Sequence, residues 1–189
     1  MSQKLQKLLG TQAVHVDEID EMTNAVVSAI SLSTTFKTKR SPSPNRSSRV
    51  GSQTFEYGRS GNPTRHLLEE GLARLEQGKF GVALSSGSAC TALLAEMCFK
   101  KAPNSHILCM SDVYGGTYRY FTKLYKNVEF CDMTKPELLR QSLQKLKSVP
   151  LIWIETPTNP TLLVVDIAET VKIVKEISPD TIVVVDKYL

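Results

Sequence analysis

The sequence predicts an α/β domain built on a mainly parallel sheet with helices on both faces. From residue 62 onward, short apolar runs alternate with longer amphipathic stretches, as in a chain of strands joined by helices. The short runs are continuously apolar and do not alternate with polar residues, which is typical of strands buried on both faces. The predicted strands lie at residues 80–84, 107–110, 128–131, 151–154 and 182–185.

The first helices are predicted from a cap and from composition. Asn62 and Pro63 can supply a cap and a first-turn proline for a helix that carries leucines on one face. Residues 88–99, rich in Ala, Leu and Met, predict the second helix, and the amphipathic residues 116–125 predict the third.

Two later helices are predicted to begin at capping-box spacings. Thr134 and Glu137 have this spacing and predict a helix that runs through Leu146. Asp166 and Glu169 repeat it, ahead of a stretch with apolar residues on one face. Each of these helices connects two predicted strands.

The chain before this alternation has a different character. Residues 1 to about 36 offer no long periodic element. Residues 37–53 are dense in Ser, Pro, Arg, Asn and Gly, which is loop composition. The predicted division is therefore an N-terminal arm with a basic Ser/Pro loop over residues 1–58, and a large domain over residues 59–189.

Composition excludes several classes of function. The chain is 41% hydrophobic and 22% charged, with a net charge of +4 that comes partly from the basic loop. That loop has no interleaved aromatic residues, so we expect no nucleic-acid binding. No apolar run is long enough to span a membrane and no signal-peptide core is present, so we expect a cytoplasmic protein without membrane contact.

Cysteine and histidine spacing gives no sign of a metal site. The sequence has no CxxC pair, and its three histidines are far apart. In the cytoplasm the four cysteines should be reduced thiols, and most of them lie in apolar runs where a buried structural thiol is expected. We therefore expect no bound metal.

The residues after the first predicted strand favour phosphate binding. Residues 85–89 (SSGSA) form a small, hydroxyl-rich turn that leads into a helix, whose first N–H groups are free to bind an anion. Such a turn also serves for close packing alone. The sequence has no GxxxxGK[ST], GxGxxG or GxSxG motif, which removes the main support for P-loop, dinucleotide-binding and hydrolase functions.

Other chemistry-bearing residues follow the later strands. Tyr114 lies on a glycine-flexible loop after the second strand, Glu155 and Asn159 follow the fourth, and Asp186 ends the fifth. In an open parallel sheet these positions meet at one crevice. A phosphate turn, an aromatic ring, an amide and an acid are the set that pyridoxal phosphate requires, although a generic α/β binding site is compatible with them too.

Several long motifs resemble, in order, those of the pyridoxal-phosphate enzymes of Cys/Met metabolism (trans-sulfuration). The likeness covers nearly the whole chain and implies a fold-type I PLP-dependent transferase-like large domain. The residues before the basic loop, 30–36, also resemble the family. The main motifs lie at residues 57–64 (YGRSGNPT), 86–89 (SGSA), 112–117 (DVYGGT), 153–160 (WIETPTNP) and 184–186 (VVD).

Within that family the likeness is strongest to the cystathionine γ-lyase branch, with the cystathionine γ-synthase branch next. The methionine γ-lyase branch usually carries a cysteine where this chain has Gly116. The implied lyase reaction converts cystathionine to cysteine, 2-oxobutanoate and ammonia. The resemblance also implies a homotetramer.

The resemblance implies a role for each matching residue. Tyr114 would stack on the ring and take part in proton transfer, while Tyr57 and Arg59 would complete the phosphate site of the neighbouring subunit. Taken singly, Tyr114 is also compatible with an ordinary loop aromatic and Arg119 with a surface charge. The implied cofactor-binding residues are Tyr57, Arg59, Gly87, Ser88, Tyr114, Asn159 and Asp186, and the implied substrate-binding residues are Arg59, Tyr114, Arg119 and Glu155.

The likeness ends directly after Asp186. The family continues with Asn-Thr and later with Ser-x-x-Lys, whose lysine forms a Schiff base with the cofactor, whereas this chain has Lys187 and two further residues. Lys187 is too close to Asp186 to serve as that anchor. We therefore expect an incomplete PLP-binding domain that is catalytically inactive and only marginally stable, since two strands that would lie beside residues 80–84 are missing.

Two other functions remain open from sequence alone. The chain could be a non-catalytic partner that docks on full-length subunits, because the family's active site is shared between subunits. It could also be a small nucleotide-binding α/β module, which would bind nucleotides in preference to pyridoxal phosphate.

Overall fold

The computed structural model describes residues 24–37, 49–50, 53–99 and 104–187. Within them the chain forms two compact units that divide between Ala83 and Leu84. Most of the predicted basic loop and the first part of the predicted arm lie outside the described residues. The domain division at residues 58 and 59 stays a prediction.

Among its described residues, the first unit contains one helix and one short hairpin. Strands β1 (Arg49–Val50) and β2 (Gln53–Thr54) pair antiparallel, and helix α1 spans Pro63–Leu75. The predicted cap is confirmed, because the Asn62 side chain accepts hydrogen bonds from the N–H groups of Thr64 and Arg65. The cap also explains why the helix begins at the proline, whose missing N–H is not needed there.

The second unit is built on a four-stranded parallel sheet in the order β4-β3-β5-β6. This confirms the predicted α/β class and four of the five predicted strands. Its strands are β3 (Ile107–Met110), β4 (Val128–Cys131), β5 (Leu151–Glu155) and β6 (Ile182–Asp186). Its helices are α2 (Gly87–Phe99), α3 (Gly115–Leu124), α4 (Pro136–Lys145) and α5 (Ile167–Ile177).

The core of the second unit lies on the two central strands. Every residue of β3 and β5 is buried, while β6 at the edge is only partly covered and Ile182 is 51% exposed. Phe121 of α3 packs edge-to-face against Trp153 of β5, with ring centroids 5.4 Å apart. The continuous apolar runs of β3 and β5 therefore correspond to strands that are covered on both faces, whereas the apolar run of β6 lies on a partly covered edge.

The predicted strand at residues 80–84 does not form. In the part of the chain that the structure describes, no strand pairs with it, and Phe80 and Val82 are 80% and 70% exposed. The segment instead follows α1, where the Ala83 N–H donates to the Glu69 carboxylate at 3.0 Å. Gly81 permits this approach, since a Cβ there would lie 2.1 Å from the Glu69 carbonyl oxygen.

One predicted cap is wrong. The N-cap of α4 is Lys135, which makes no side-chain capping bond, and Thr134 lies before it. The Thr134 N–H and hydroxyl both donate to Asp132 Oδ1, at 3.1 and 2.5 Å, so a side chain two residues earlier takes these donors. The second predicted cap is confirmed by the bond from Glu169 N–H to Asp166 Oδ1 at 2.9 Å.

Among the described residues, no helix has the length and apolar character that crossing a bilayer requires.

We expect Ile152→Ala, in fully buried β5, to lower the free energy of unfolding by about 2–5 kcal/mol, because the cavity removes both transfer and packing energy. The matched change Ile182→Ala, on the half-exposed edge strand, should cost less than half as much. Urea unfolding followed by circular dichroism measures both values. Equal losses would contradict the assignment of β5 as the centre of the core.

Candidate active site

The turn before α2 presents free backbone N–H groups. Ser86 acts as the cap: its side chain and its carbonyl accept from Ala89 N–H at 3.2 and 3.1 Å. No described group accepts a hydrogen bond from the Gly87 or Ser88 N–H, which point out at the start of a 13-residue helix. Nothing lies within 4 Å of a Cβ placed on Gly87, so the approach is open. This geometry suits a phosphate.

Tyr114 lies at the start of α3, after the carboxyl end of β3. It is the N-cap residue of α3, and its side chain is 48% exposed. Its ring lies over the following turn, where a Cβ on Gly116 would be 2.3 Å from Tyr114 Cε1. Glycine at position 116 therefore permits the ring to occupy this place, and a larger residue would displace it.

Glu155, the last residue of β5, is the buried acid of the site. It is fully buried, and its Oε2 accepts the Tyr114 N–H at 2.9 Å. No described group bonds to Glu155 Oε1. Burial raises the pKa of the Glu155 carboxyl and outweighs the N–H groups of Tyr114 and Asn159, which act in the opposite direction. The charge of Asp186 raises this pKa further.

Asp186 ends β6 beside this residue. The two strands pair in parallel register with Glu155 opposite Asp186, and the Thr156 N–H donates to the Asp186 carbonyl at 3.1 Å. Because paired residues of adjacent strands share a face, both carboxylates lie on the same side of the sheet edge. Asp186 is half-buried, and burial raises the pKa of its carboxyl.

Cys109 lies one strand away, within the electrostatic reach of these carboxylates. Its side chain is fully buried. Burial, together with the charges of Glu155 and Asp186, raises the pKa of the Cys109 thiol far above the physiological range. This thiol is therefore neutral and suited to packing, not to nucleophilic chemistry.

The remaining predicted residues occupy different surroundings. Asn159 is half-buried in the loop after β5, and Arg119 is exposed on α3. Tyr57 and Arg59 belong to the first unit, where the Arg59 guanidinium lies 4.6 Å from the centre of the Tyr57 ring. A hydrogen bond from Gly58 N–H to the Thr34 carbonyl, 2.7 Å long, holds the backbone between them.

Not all of the predicted site residues are joined by contacts. Tyr114, Asn159, Glu155 and Asp186 are connected through the carboxyl edge of the sheet. No hydrogen bond or ion pair among the described residues joins Gly87 or Ser88 to Asp186. The second unit nevertheless ties α2 to the end of α3, since the Tyr125 hydroxyl donates to Glu96 at 3.2 Å.

The residues present fit pyridoxal phosphate. Free N–H groups at a helix start suit its phosphate, an exposed aromatic ring suits its ring face, and a half-buried acid with a raised pKa is stabilised by a cationic ring nitrogen. Among the described residues, no group of three His, Cys, Asp or Glu side chains is placed to hold a metal ion.

Sequence reasoning missed part of the site's scaffold. It placed Asp112 and Thr158 in motifs but gave them no role, and it did not consider Thr161. Both threonine hydroxyls bond to the Asp112 carboxylate. The available signal was an acidic residue two positions before Tyr114 in a strand-end loop, which alone does not identify its partners.

We expect the Glu155→Gln variant to become more stable, compared with the unchanged protein, as the pH rises from about 4 to about 8. Because the pKa of Glu155 is raised in the folded state, its contribution to the free energy of unfolding is fully present at low pH. That contribution is lost as the pH rises through the folded-state pKa. Glutamine keeps an acceptor for Tyr114 N–H but cannot ionise. Urea unfolding across this range tests it, with exposed Glu137→Gln as the control. A stability difference independent of pH would contradict the prediction.

Comparison with known proteins identifies the family that the chain resembles. The sequence model of the family described as "Cys/Met metabolism PLP-dependent enzyme" matches residues 10–189. The chain is 41% identical to cystathionine gamma-lyase of Saccharomyces cerevisiae over 180 residues, which is 94% of this chain and 43% of the yeast enzyme. It is 43% identical to the Homo sapiens cystathionine gamma-lyase over 183 residues, covering 94% of this chain and 42% of that enzyme.

Solved structures give the same result. Cystathionine gamma synthase of Xanthomonas oryzae pv. oryzae superposes with a TM-score of 0.80 at 32% identity, over 95% of this chain and 44% of that one. Cystathionine gamma-lyase from yeast superposes with a TM-score of 0.75 at 39% identity, over 98% and 45%. The chain thus spans less than half the length of the proteins it matches. It belongs to the family of PLP-dependent enzymes of Cys/Met metabolism.

Proposed function

We propose that this chain carries the cofactor-binding part of a trans-sulfuration enzyme that cleaves cystathionine to cysteine, 2-oxobutanoate and ammonia. The observation that carries the proposal is the carboxyl edge of the sheet, where Glu155 holds the Tyr114 N–H at 2.9 Å and stands opposite Asp186 in register. Pyridoxal phosphate bound at this edge supplies an electron-withdrawing ring. The identity to cystathionine γ-lyases supports the substrate.

Each residue of this edge has a distinct task in the proposal. The Gly87 and Ser88 N–H groups hold the phosphate, and Asp186 keeps the ring nitrogen protonated. Tyr114 is proposed to cover the ring and, with its half-exposed side chain, to move a proton to or from the substrate amine. Asn159 is proposed to set the ring oxygen from the loop after β5, where it is half-buried.

Substrate contacts and partners are also part of the proposal. Arg119 is exposed on α3, one turn after Tyr114, where its charge can meet a substrate carboxylate. We propose that Glu155 acts at the substrate end through Tyr114, because its own carboxylate is fully buried. Tyr57 and Arg59 are proposed to complete the site of a neighbouring subunit in a cytoplasmic homo-oligomer, with the exposed Arg59 facing a phosphate.

A cystathionine γ-synthase is the second candidate. The superposition on the Xanthomonas synthase supports it, at a lower identity than the lyase relatives. An assay of the complete enzyme separates the two, since the lyase consumes cystathionine and releases a 2-oxoacid with cysteine, whereas the synthase forms cystathionine. Accumulation of cystathionine as the product would contradict the lyase assignment.

We expect a protein made only of residues 1–189 not to turn over cystathionine. The family's anchoring lysine lies in a Ser-x-x-Lys segment beyond the aspartate, and these residues do not include that segment. A coupled assay for 2-oxobutanoate measures the activity, with the yeast enzyme as positive control. Cleavage by residues 1–189 at a rate near that of the yeast enzyme would refute the expectation.

We expect the chain to bind pyridoxamine 5′-phosphate, which has the ring and the phosphate of the cofactor but no aldehyde to react with surface lysines. The chain's single tryptophan, Trp153, lies two residues before Glu155 and reports binding by a change in fluorescence. ATP serves as the competing ligand, because a nucleotide-binding module would prefer it. Binding of ATP without binding of pyridoxamine phosphate would overturn the proposed function.

A negative charge introduced at the start of α2 tests the proposed phosphate contact. Ser88→Asp should weaken pyridoxamine phosphate binding about tenfold or more, because it places a carboxylate beside the phosphate. The same change should leave α2 intact or stabilise it by about 0.3–1 kcal/mol, since an acid favours a helix N-terminus. Neutral Ser88→Asn is the matched control and should change affinity less than about threefold. Equal affinities of the two variants would exclude this helix start as the phosphate site.

A further inference from the structure

Two loops at the carboxyl edge of the sheet exchange hydrogen bonds through carboxylates. The loop after β3 carries Tyr114, and the loop after β5 carries Asn159. In one direction, Glu155 at the end of β5 accepts the Tyr114 N–H at 2.9 Å. In the other, Asp112 of the first loop accepts hydrogen bonds from the second.

The Asp112 contacts all converge on one oxygen. Its Oδ2 accepts from the Thr158 hydroxyl at 2.5 Å, from the Thr161 N–H at 3.2 Å and from the Thr161 hydroxyl. The hydrogen bonds from Thr158 and, secondly, Thr161 lower the pKa of the Asp112 carboxyl, which favours the ionised form that accepts these bonds. We name Asp112, Tyr114, Glu155, Thr158 and Thr161 the loop clasp.

The second loop is rigid at the point where Asp112 holds it. Thr158 is fully buried, and its hydroxyl oxygen also accepts the Leu163 N–H at 2.9 Å. The Thr158 N–H donates to the Leu163 carbonyl at 2.9 Å, and the Thr156 hydroxyl accepts the Val165 N–H at 3.0 Å. Asp112 therefore bonds to a loop that is already held by its own internal hydrogen bonds. Asn159 lies in sequence between Thr158 and Thr161, the two residues that contact Asp112.

A second strand-end aspartate shows what is particular to Asp112. Asp132 follows β4 directly, and its Oδ1 accepts from the N–H and the hydroxyl of Thr134. Its other oxygen pairs with Lys135 at 3.1 Å. These contacts stay within three residues of Asp132 in sequence. Asp112 instead reaches residues 46 and 49 positions away.

We propose that Asp112 is a positioning residue that fixes the Tyr114 loop against the Asn159 loop, so that the stacking ring and the amide meet the cofactor together. The proposal deepens the proposed function, on which its cofactor readout rests. Asp112 itself is not placed in contact with the cofactor, and its effect passes through the other members of the loop clasp.

The first test removes the carboxylate. We expect Asp112→Ala to speed amide hydrogen exchange in residues 112–118 and 156–163, with exchange in β5 unchanged, and to weaken pyridoxamine phosphate binding about three- to tenfold. Asp112→Asn retains one acceptor oxygen and should restore part of both effects. Asp132→Ala, the matched control, should speed exchange only around residues 132–136 and leave the affinity unchanged.

The second test guards against a folding defect. Thr161→Val removes only the exposed hydroxyl that donates to Asp112, and Thr134→Val removes the corresponding hydroxyl that donates to Asp132. We expect Thr161→Val to speed exchange at Asn159 and to weaken binding, and Thr134→Val to do neither.

The outcomes separate this inference from the proposed function. If the unchanged chain does not bind pyridoxamine phosphate, the proposed function fails. The loop clasp is then tested by the amide hydrogen exchange rates alone. Faster exchange in both loops in the Asp112 and Thr161 variants, but not in their controls, supports the clasp in either case. Exchange and affinity equal to those of the Asp132 and Thr134 variants would overturn it.

Discussion

The structure of the candidate site depends on one hydrogen bond, from the Tyr114 N–H to the Glu155 carboxylate. A carboxyl group with no exposed surface is stable only if the protein supplies hydrogen-bond donors, and the Tyr114 N–H is the donor that reaches Glu155 Oε2. Because this donor is a backbone group of the loop after β3, burying one acid at the end of β5 fixes that loop. The loop that carries the aromatic ring is therefore ordered by the buried acid beneath it.

The parallel sheet places this acid where its effect is largest. β5 is central and fully buried, so its last residue emerges at the middle of the carboxyl edge, with β3 on one side and β6 on the other. The register then puts Glu155 opposite Asp186. Burial raises the cost of ionising both acids, and the charge of Asp186 adds to that of Glu155, which makes a cationic ligand favourable at this edge.

Sequence patterns predicted the features that depend on local or repeated signals. The buried strands follow from continuous apolar runs, and α1 follows from Asn62 and Pro63. The predicted strand at residues 80–84 needs neighbouring strands, and none among the described residues pairs with it. Apolar character alone could not reveal this, because pairing is a property of the sheet and not of the segment.

The failed cap at Thr134 and the unpredicted role of Asp112 have one physical explanation. In the loops after β3 and β4, an aspartate lies two positions before a residue whose N–H could donate a hydrogen bond to it. Asp132 accepts a hydrogen bond from that N–H of Thr134 and a second one from its hydroxyl, which holds Thr134 in the loop before the N-cap residue Lys135. The equivalent N–H of Tyr114 is taken by buried Glu155, and tyrosine offers no hydroxyl nearby. Asp112 therefore accepts hydrogen bonds from the loop after β5 instead. The sequence of either loop alone cannot show whether its aspartate bonds within the loop or to the neighbouring one.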